Sequence, residues 1–265
     1  MSKKRGGAPE EYKKEGSGKK KGRLAWVVIV IAAVVLVFSL VNIIGIGSDW
    51  FATDQAYHGL KEIAMPSADA QQDAPGSPLD RTIDFDALRA VNEDIIGWIY
   101  MPNTRIDYPL VIGEDNDYYI SHNANKESDR AGAIFLDEQN SPDFSDQNTI
   151  IYGHRMNSGA MFADLHKYQD EAFFSENDII YLYLPDGTVS EYRIFSAYVV
   201  NELDETYTIG FASEDDYASY LEKMKERSGV ETDIELSPQD HIITLSTCVK
   251  GQDTDRYVVQ AVLQK

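Results

Sequence analysis

Apolar residues are spaced in contrasting ways along the chain, and each spacing predicts a different element. From Leu24 to Ile44, "LAWVVIVIAAVVLVFSLVNII", they run on without a charge, close to the roughly 20 residues a helix needs to cross a bilayer. A short amphipathic segment around Asp54 to Ile63 is a further helix candidate. From Asp84, a plausible cap, Phe85, Leu88, Val91 and Ile95 recur at helical period and predict a helix ending before Gly97. Beyond it the period shortens. "GWIYMP", "IDYPLV", "GAIFLD", "NTIIYGH", "DIIYLYLP", "EYRIFSAYVV", "HIITLST" and "RYVVQAVL" are rich in β-branched and aromatic residues and bounded by Gly, Pro, Asn or Asp, so each reads as a strand. Pro185, Asp186 and Gly187 in "LPDGTVSEY" mark a hairpin turn. Two helical insertions interrupt the strands. One lies near Ser158 to Tyr168, with Met161, Phe162, Leu165 and Tyr168 on one side. The other, "SEDDYASYLEKMKERS", opens on Ser213 and Asp216 as a capping box, buries Tyr217, Tyr220, Leu221 and Met224, and closes on Lys223, Lys225 and Arg227. Strands in this number, without a helix between most of them, predict a mainly β fold: a closed or nearly closed eight-stranded barrel rather than a doubly wound sheet.

Charge places this domain. The chain of 265 residues carries a formal net charge of -20. Up to Arg23, however, nine Lys or Arg stand against Glu10, Glu11 and Glu15, so the head is net +6 and the remainder -26. A basic head before an apolar run predicts an anchor with its N-terminus in the cytoplasm and everything after it outside. The run is too long, and lacks the small-residue cleavage site, for a secretory signal peptide, and Trp50 and Phe51 suit a membrane interface. The expected organisation is a basic cytoplasmic tail over 1–23, a transmembrane anchor over 24–46, a juxtamembrane segment and Pro/Ala/Ser-rich linker over 47–81, and an extracellular catalytic domain over 82–265. An acidic exported domain excludes nucleic acid as a partner.

Cys248 is the only cysteine. It cannot form an internal disulfide, so the exported domain depends on its core alone, and the thiol is either buried and inert or reactive. In "ITLSTC" it shares a strand face with Ile242, Thr244 and Ser246, while Ile243 and Leu245 face the other way. A lone cysteine is ordinarily a small hydrophobe; the exported compartment and the semi-polar face tip this one towards a nucleophile, which needs a base or a nearby cation to form the thiolate. Of the five histidines, His58 precedes the linker, His122 and His166 read as surface residues, and His241 lies on the cysteine strand about 23 Å away if extended at roughly 3.3 Å per residue. His154 ends "NTIIYGH" and so stands, like Cys248, at a strand tip. Arg256 opens the next strand, where its guanidinium is either a donor to an oxyanion or half of a surface ion pair with Asp253 or Asp255. No His or Cys pair at ligand spacing calls for a metal.

With "TLSTC", "DRYVVQAVL" and "IIYGHRM...MFADL" in view, together with "IIGWIYMPNTRIDYPLV" and "DNDYYISHNANKESDRAGAIFLD", the chain resembles the sortases, membrane-anchored cysteine transpeptidases of Gram-positive bacteria, and class B in particular. The resemblance runs from about Phe85 to the C-terminus. It implies a sortase-type barrel needing no cofactor, with Cys248 as nucleophile, His154 as acid and base, and Arg256 as stabiliser of substrate and oxyanion. It further implies Ser246, Thr247, Asn116 and Ile120 along the peptide groove. Where some class B members carry an acid after the cysteine, this chain has Val249. The implied partners are secreted proteins bearing a C-terminal sorting signal, cleaved after Thr, and an amine of a peptidoglycan precursor. A pilin-polymerising sortase, an extracellular cysteine peptidase and a non-enzymatic surface scaffold are the alternatives.

Overall fold

The computed structural model describes residues 18–66, 77–252 and 254–264. Most of the expected cytoplasmic tail, residues 67–76 of the expected linker and Asp253 lie outside the described residues. The chain divides into two compact units, up to Ser48 and from Asp49 onward.

The first unit is helical from Gly18, within α1 (Gly18–Ala64). Its helix covers the apolar run, as β-branched and aliphatic residues without Pro permit. Every side chain described over 26–40 is exposed, including Trp26 and Phe38. Those residues alone are fewer than a bilayer requires, and among the described residues no helix is long and apolar enough to cross a membrane.

The second unit is a closed barrel of eight strands: β1 (Ile95–Tyr100), β2 (Asp107–Ile112), β3 (Ile134–Leu136), β4 (Asn148–Tyr152), β5 (Ile179–Tyr183), β6 (Val189–Asn201), β7 (Ile242–Cys248) and β8 (Asp255–Leu263), in the spatial order β1-β2-β3-β4-β7-β8-β6-β5. All eight expected strands form. β2–β3 and β4–β7 are parallel and the other neighbours antiparallel. The hairpin turn between β5 and β6 is the expected one: Gly187 takes φ +88°, a conformation that favours glycine, and Leu184 N–H bonds to Thr188 O at 2.9 Å.

The expected helix at Asp84 forms as α2 (Phe85–Val91), with Asp84 accepting from Ala87 N–H at 2.9 Å. It ends earlier than its apolar spacing predicts, because Ile95 opens β1 and pairs with Val111; burial in the sheet outweighs a helical period carried by one residue. The expected 158–168 helix is a 3-10 segment, Phe162–Gln169, followed by α3 (Glu171–Glu176) capped by Asp170. α4 (Glu214–Glu226) is capped by Ser213 and buries the four expected residues against Phe195, Tyr198 and Val258 on the outer face of the barrel.

Period-2 alternation sends Ile243, Leu245, Val259 and Ala261 to the main core, while Ile242 and Val258 face α4. Between these layers the connection from β6 to β7 is tied down by Asn148, fully buried. Its Nδ2 donates to Thr206 O at 3.1 Å and Thr208 O at 2.9 Å, and its Oδ1 accepts from Thr244 Oγ1 at 2.7 Å. Asn148→Ala strips these partners from buried carbonyls and should lower unfolding stability by about 2–4 kcal/mol, read as a lower urea midpoint at unchanged slope.

Candidate active site

The sheet order explains how three residues far apart in sequence come together. β7 has β4 on one side and β8 on the other. Its parallel register with β4 sets Tyr152 opposite Ser246, and Gly153 N–H bonds to Ser246 O at 3.1 Å, so continuing the register brings His154 level with Cys248. The antiparallel register with β8 pairs Cys248 with Arg256. Cys248 ends its strand, half-buried and reduced. Gly153 is required here, since a Cβ would come within 2.7 Å of the Phe162 ring, and Phe162 N–H in turn holds the His154 carbonyl at 3.0 Å.

The imidazole of His154 has two neighbours. Nε2 lies 2.8 Å from the Ile120 carbonyl, which can only accept, so Nε2 carries a proton and donates it. Interaction with the neighbouring Cys248 thiol is the main influence raising the His154 pKa; burial opposes it and the Ile120 carbonyl adds to it. Cys248 moves the other way. Its interaction with His154 pulls its pKa below the ordinary thiol range against the effect of burial; the Arg256 charge assists and Glu202 opposes. The two shifts bring the thiol and imidazole pKa values closer together, each group favouring the charged form of the other.

Arg256 is ion-paired with Glu202, just past the end of β6, and its Nη1 donates to the Asp255 carbonyl at 3.2 Å. The carboxylate of Glu202, one residue beyond β6, thus helps to hold the guanidinium on the thiol's face of the sheet.

The four groove candidates separate. Ser246 faces outward with the thiol, and its Oγ lies 2.9 Å from Tyr207 Oη. Thr247 points the opposite way, buried beside the main core. Asn116 donates to Asp137 Oδ2 at 3.0 Å and accepts from Glu138 N–H at 2.9 Å, which braces the loop after β2. Ile120 exposes its side chain while its carbonyl holds His154.

Other residues at the site escaped sequence reasoning. Tyr207 stacks near Tyr152, with ring centroids 6.3 Å apart, and burial pushes its pKa up to about 12. Tyr152 Oη donates to Asp137 Oδ2 at 2.9 Å. His166, expected on the surface, is half-buried: Nε2 donates to the Cys248 carbonyl at 3.1 Å and the ring stacks on Tyr257 at 4.8 Å. Burial, foremost, lowers its pKa, keeping it a neutral donor. Tyr152 was detectable as the same-face neighbour two residues before His154; no local signal marks Tyr207 or Glu202. Among the described residues no group of three or more His, Cys, Asp or Glu could hold a metal ion.

A half-buried thiol level with an imidazole and paired across the sheet with an arginine, on a closed barrel with this strand order, fits a cysteine transpeptidase, and comparison with known proteins agrees. Residues 99–264 match the family described as Sortase domain, and the chain belongs to that family. Within it the chain is a class B sortase. It is 40% identical over 178 residues to the sortase B of Listeria monocytogenes, covering 66% of this chain and 72% of that one. The structure of B. anthracis sortase B in complex with AAEK1 superposes with a TM-score of 0.71 at 35% identity, covering 82% of this chain and 99% of that one. A Staphylococcus aureus sortase B–substrate complex gives 0.65 at 32% identity, covering 68% and 84%.

Proposed function

We propose that Cys248, His154 and Arg256 carry out a sortase transpeptidation in which each has a separate task. The chain is a cysteine transpeptidase that anchors proteins to the cell wall. The single observation that carries the residue assignment is the strand register that brings His154 level with Cys248 on one side and pairs Cys248 with Arg256 on the other.

The Cys248 thiolate attacks the carbonyl carbon of the Thr that ends the recognised part of a C-terminal sorting signal. Arg256 donates to the oxygen as it gains charge, replacing part of its contact with Glu202. The C–N bond breaks, the leaving nitrogen takes the proton from His154, and the acyl group stays on sulfur as a thioester. An incoming amine then attacks the thioester carbon and gives its proton to the now neutral His154. The C–S bond breaks, which regenerates the thiolate–imidazolium pair. A thioester preserves the acyl group's reactivity until an amine, rather than water, accepts it. The S. aureus relative has been solved as a substrate complex, which supports a sorting signal as donor. The acceptor in this reading is an amine of a peptidoglycan precursor. Incubating the enzyme with a labelled sorting peptide, with and without a primary amine, tests the reaction class: amine-dependent ligation supports it, and hydrolysis alone, whatever the amine, would point to a peptidase.

The remaining part of the proposal is location. An uncharged run, Leu24–Ile44, inside a helix and behind a basic head supports a single-pass anchor with the N-terminus in the cytoplasm and the barrel outside. Because Cys248 is the sole cysteine, a membrane-impermeant methanethiosulfonate reagent applied to intact cells should label the wild-type chain and leave Cys248→Ala unlabelled. Labelling only after lysis would overturn the extracellular placement.

A further inference from the structure

Residues Thr53 and Tyr57 lie one helical turn apart on α1, so their side chains leave the same face. Both are buried, and both reach the long connection between β2 and β3. Thr53 Oγ1 is 2.8 Å from each carboxylate oxygen of Asp129. The Tyr57 hydroxyl donates to the Gly132 carbonyl at 2.6 Å. Two side chains of one helix thus hold two points of that connection, residues 129 and 132.

The same connection supplies the carbonyl on which the His154 imidazole rests, that of Ile120. The connection is closed on itself by Asp129 N–H to Ser121 O at 2.9 Å and Ala133 N–H to Tyr119 O at 2.9 Å, which sets Gly132 directly behind the peptide that follows Ile120. Gly132 has φ +60°, and a Cβ there would come within 2.5 Å of Tyr119 O and 2.7 Å of Ile120 O. With no room left for a Cβ, the Gly132 backbone packs against the Ile120 peptide, so a shift of the Gly132 backbone presses on the Ile120 carbonyl.

We infer that Tyr57, assisted by Thr53, is a positioning residue for His154, acting through Gly132 and the Ile120 carbonyl. The helical segment that precedes the barrel is then part of the machinery of the reaction. This rests on the acid–base role proposed for His154. The route is short: hydroxyl to Gly132 carbonyl, Gly132 against Ile120, Ile120 carbonyl to Nε2, imidazole to thiol. Loss of the hydroxyl leaves the Gly132 carbonyl buried without its donor, which favours movement of the connection towards water. The Ile120 carbonyl then holds the imidazolium less well, the thiolate loses its partner, and the thiol becomes harder to ionise.

The test uses the full chain in detergent micelles, alkylating the sole cysteine with iodoacetamide across pH and following turnover of a fluorogenic peptide carrying a sorting signal. Tyr57→Phe keeps the ring and its edge contact with Tyr108, whose centroid lies 5.2 Å away; Thr53→Val is the second variant, and thermal melts check both for folding. Expected are a shift of the alkylation profile to higher pH and a fall in kcat of about tenfold with KM nearly unchanged. In a His154→Ala background Tyr57→Phe should have no further effect on alkylation. The inference is overturned if folded Tyr57→Phe and Thr53→Val alkylate and turn over as the wild type does, or if Tyr57→Phe slows alkylation equally with and without His154. Wild-type alkylation and turnover in His154→Ala itself would instead remove the role assigned to that histidine.

Discussion

Cys248→Ala should abolish turnover of a sorting peptide, by about 10⁴-fold or more, with no acyl adduct on the protein. The reason is that the reaction has no second nucleophile available. Cys248 is the only thiol in the chain, and its nearest hydroxyl on the same face, Ser246, is hydrogen-bonded to Tyr207 rather than to a base. The fold should be indifferent to the change. Cys248 sits half-buried at a strand end, outside both apolar clusters, so the melting temperature of the variant should stay within a few degrees of the wild type. Intact mass after incubation with peptide in the absence of amine provides the check: the wild type should carry the acyl group as a thioester that hydroxylamine removes, and Cys248→Ala should carry nothing. An adduct on the variant would place the nucleophile elsewhere.

The second large effect concerns proton transfer. His154→Ala should lower kcat/KM by about 10³-fold, within the range typical of a lost general acid–base, and should do so with a diagnostic pH signature. The His154 pKa is raised and that of Cys248 lowered, each chiefly by their mutual interaction. In the wild type, activity falls on the acid side as the thiolate is protonated, and on the alkaline side as the imidazolium loses the proton needed by the leaving amine. Removal of the imidazole removes the largest influence acidifying the thiol, while burial, which raises its pKa, remains. The alkylation profile should therefore move to higher pH, and the alkaline limb of turnover should vanish. An unchanged alkylation profile in His154→Ala would mean that Arg256 alone governs the thiol.

Much of this barrel can be read directly from the chain. Each of the eight strands carries its own run of β-branched and aromatic residues and its own Gly, Pro, Asn or Asp boundaries, and those are local properties. Ser213 capping α4 is equally local, and the face assignment of Cys248 with Ser246 follows from alternation alone. Ile95 shows where local reading ends: it fits a helical stripe and a strand start equally well, and pairing with Val111 decides between them. The insertion read as a helix near Ser158 to Tyr168 became an eight-residue 3-10 segment, Phe162–Gln169, with Phe162, Leu165 and Tyr168 all drawn into the core.

The sequence by itself determined the strands, the caps, the apolar helix behind its basic head, and the isolation of one thiol on a semi-polar strand face. Tertiary structure alone decided what surrounds that thiol. Parallel pairing of β4 with β7 brought His154 level with Cys248 across 94 positions of chain, the turn after β6 supplied Glu202 to Arg256, and the β2–β3 connection, gripped by Thr53 and Tyr57, supplied the carbonyl that orients the imidazole. The physical reason is that periodicity reports which face a residue takes within its own strand, whereas which strands become neighbours, and at what register, is set by closure of the barrel, a property of the whole chain that no short segment carries.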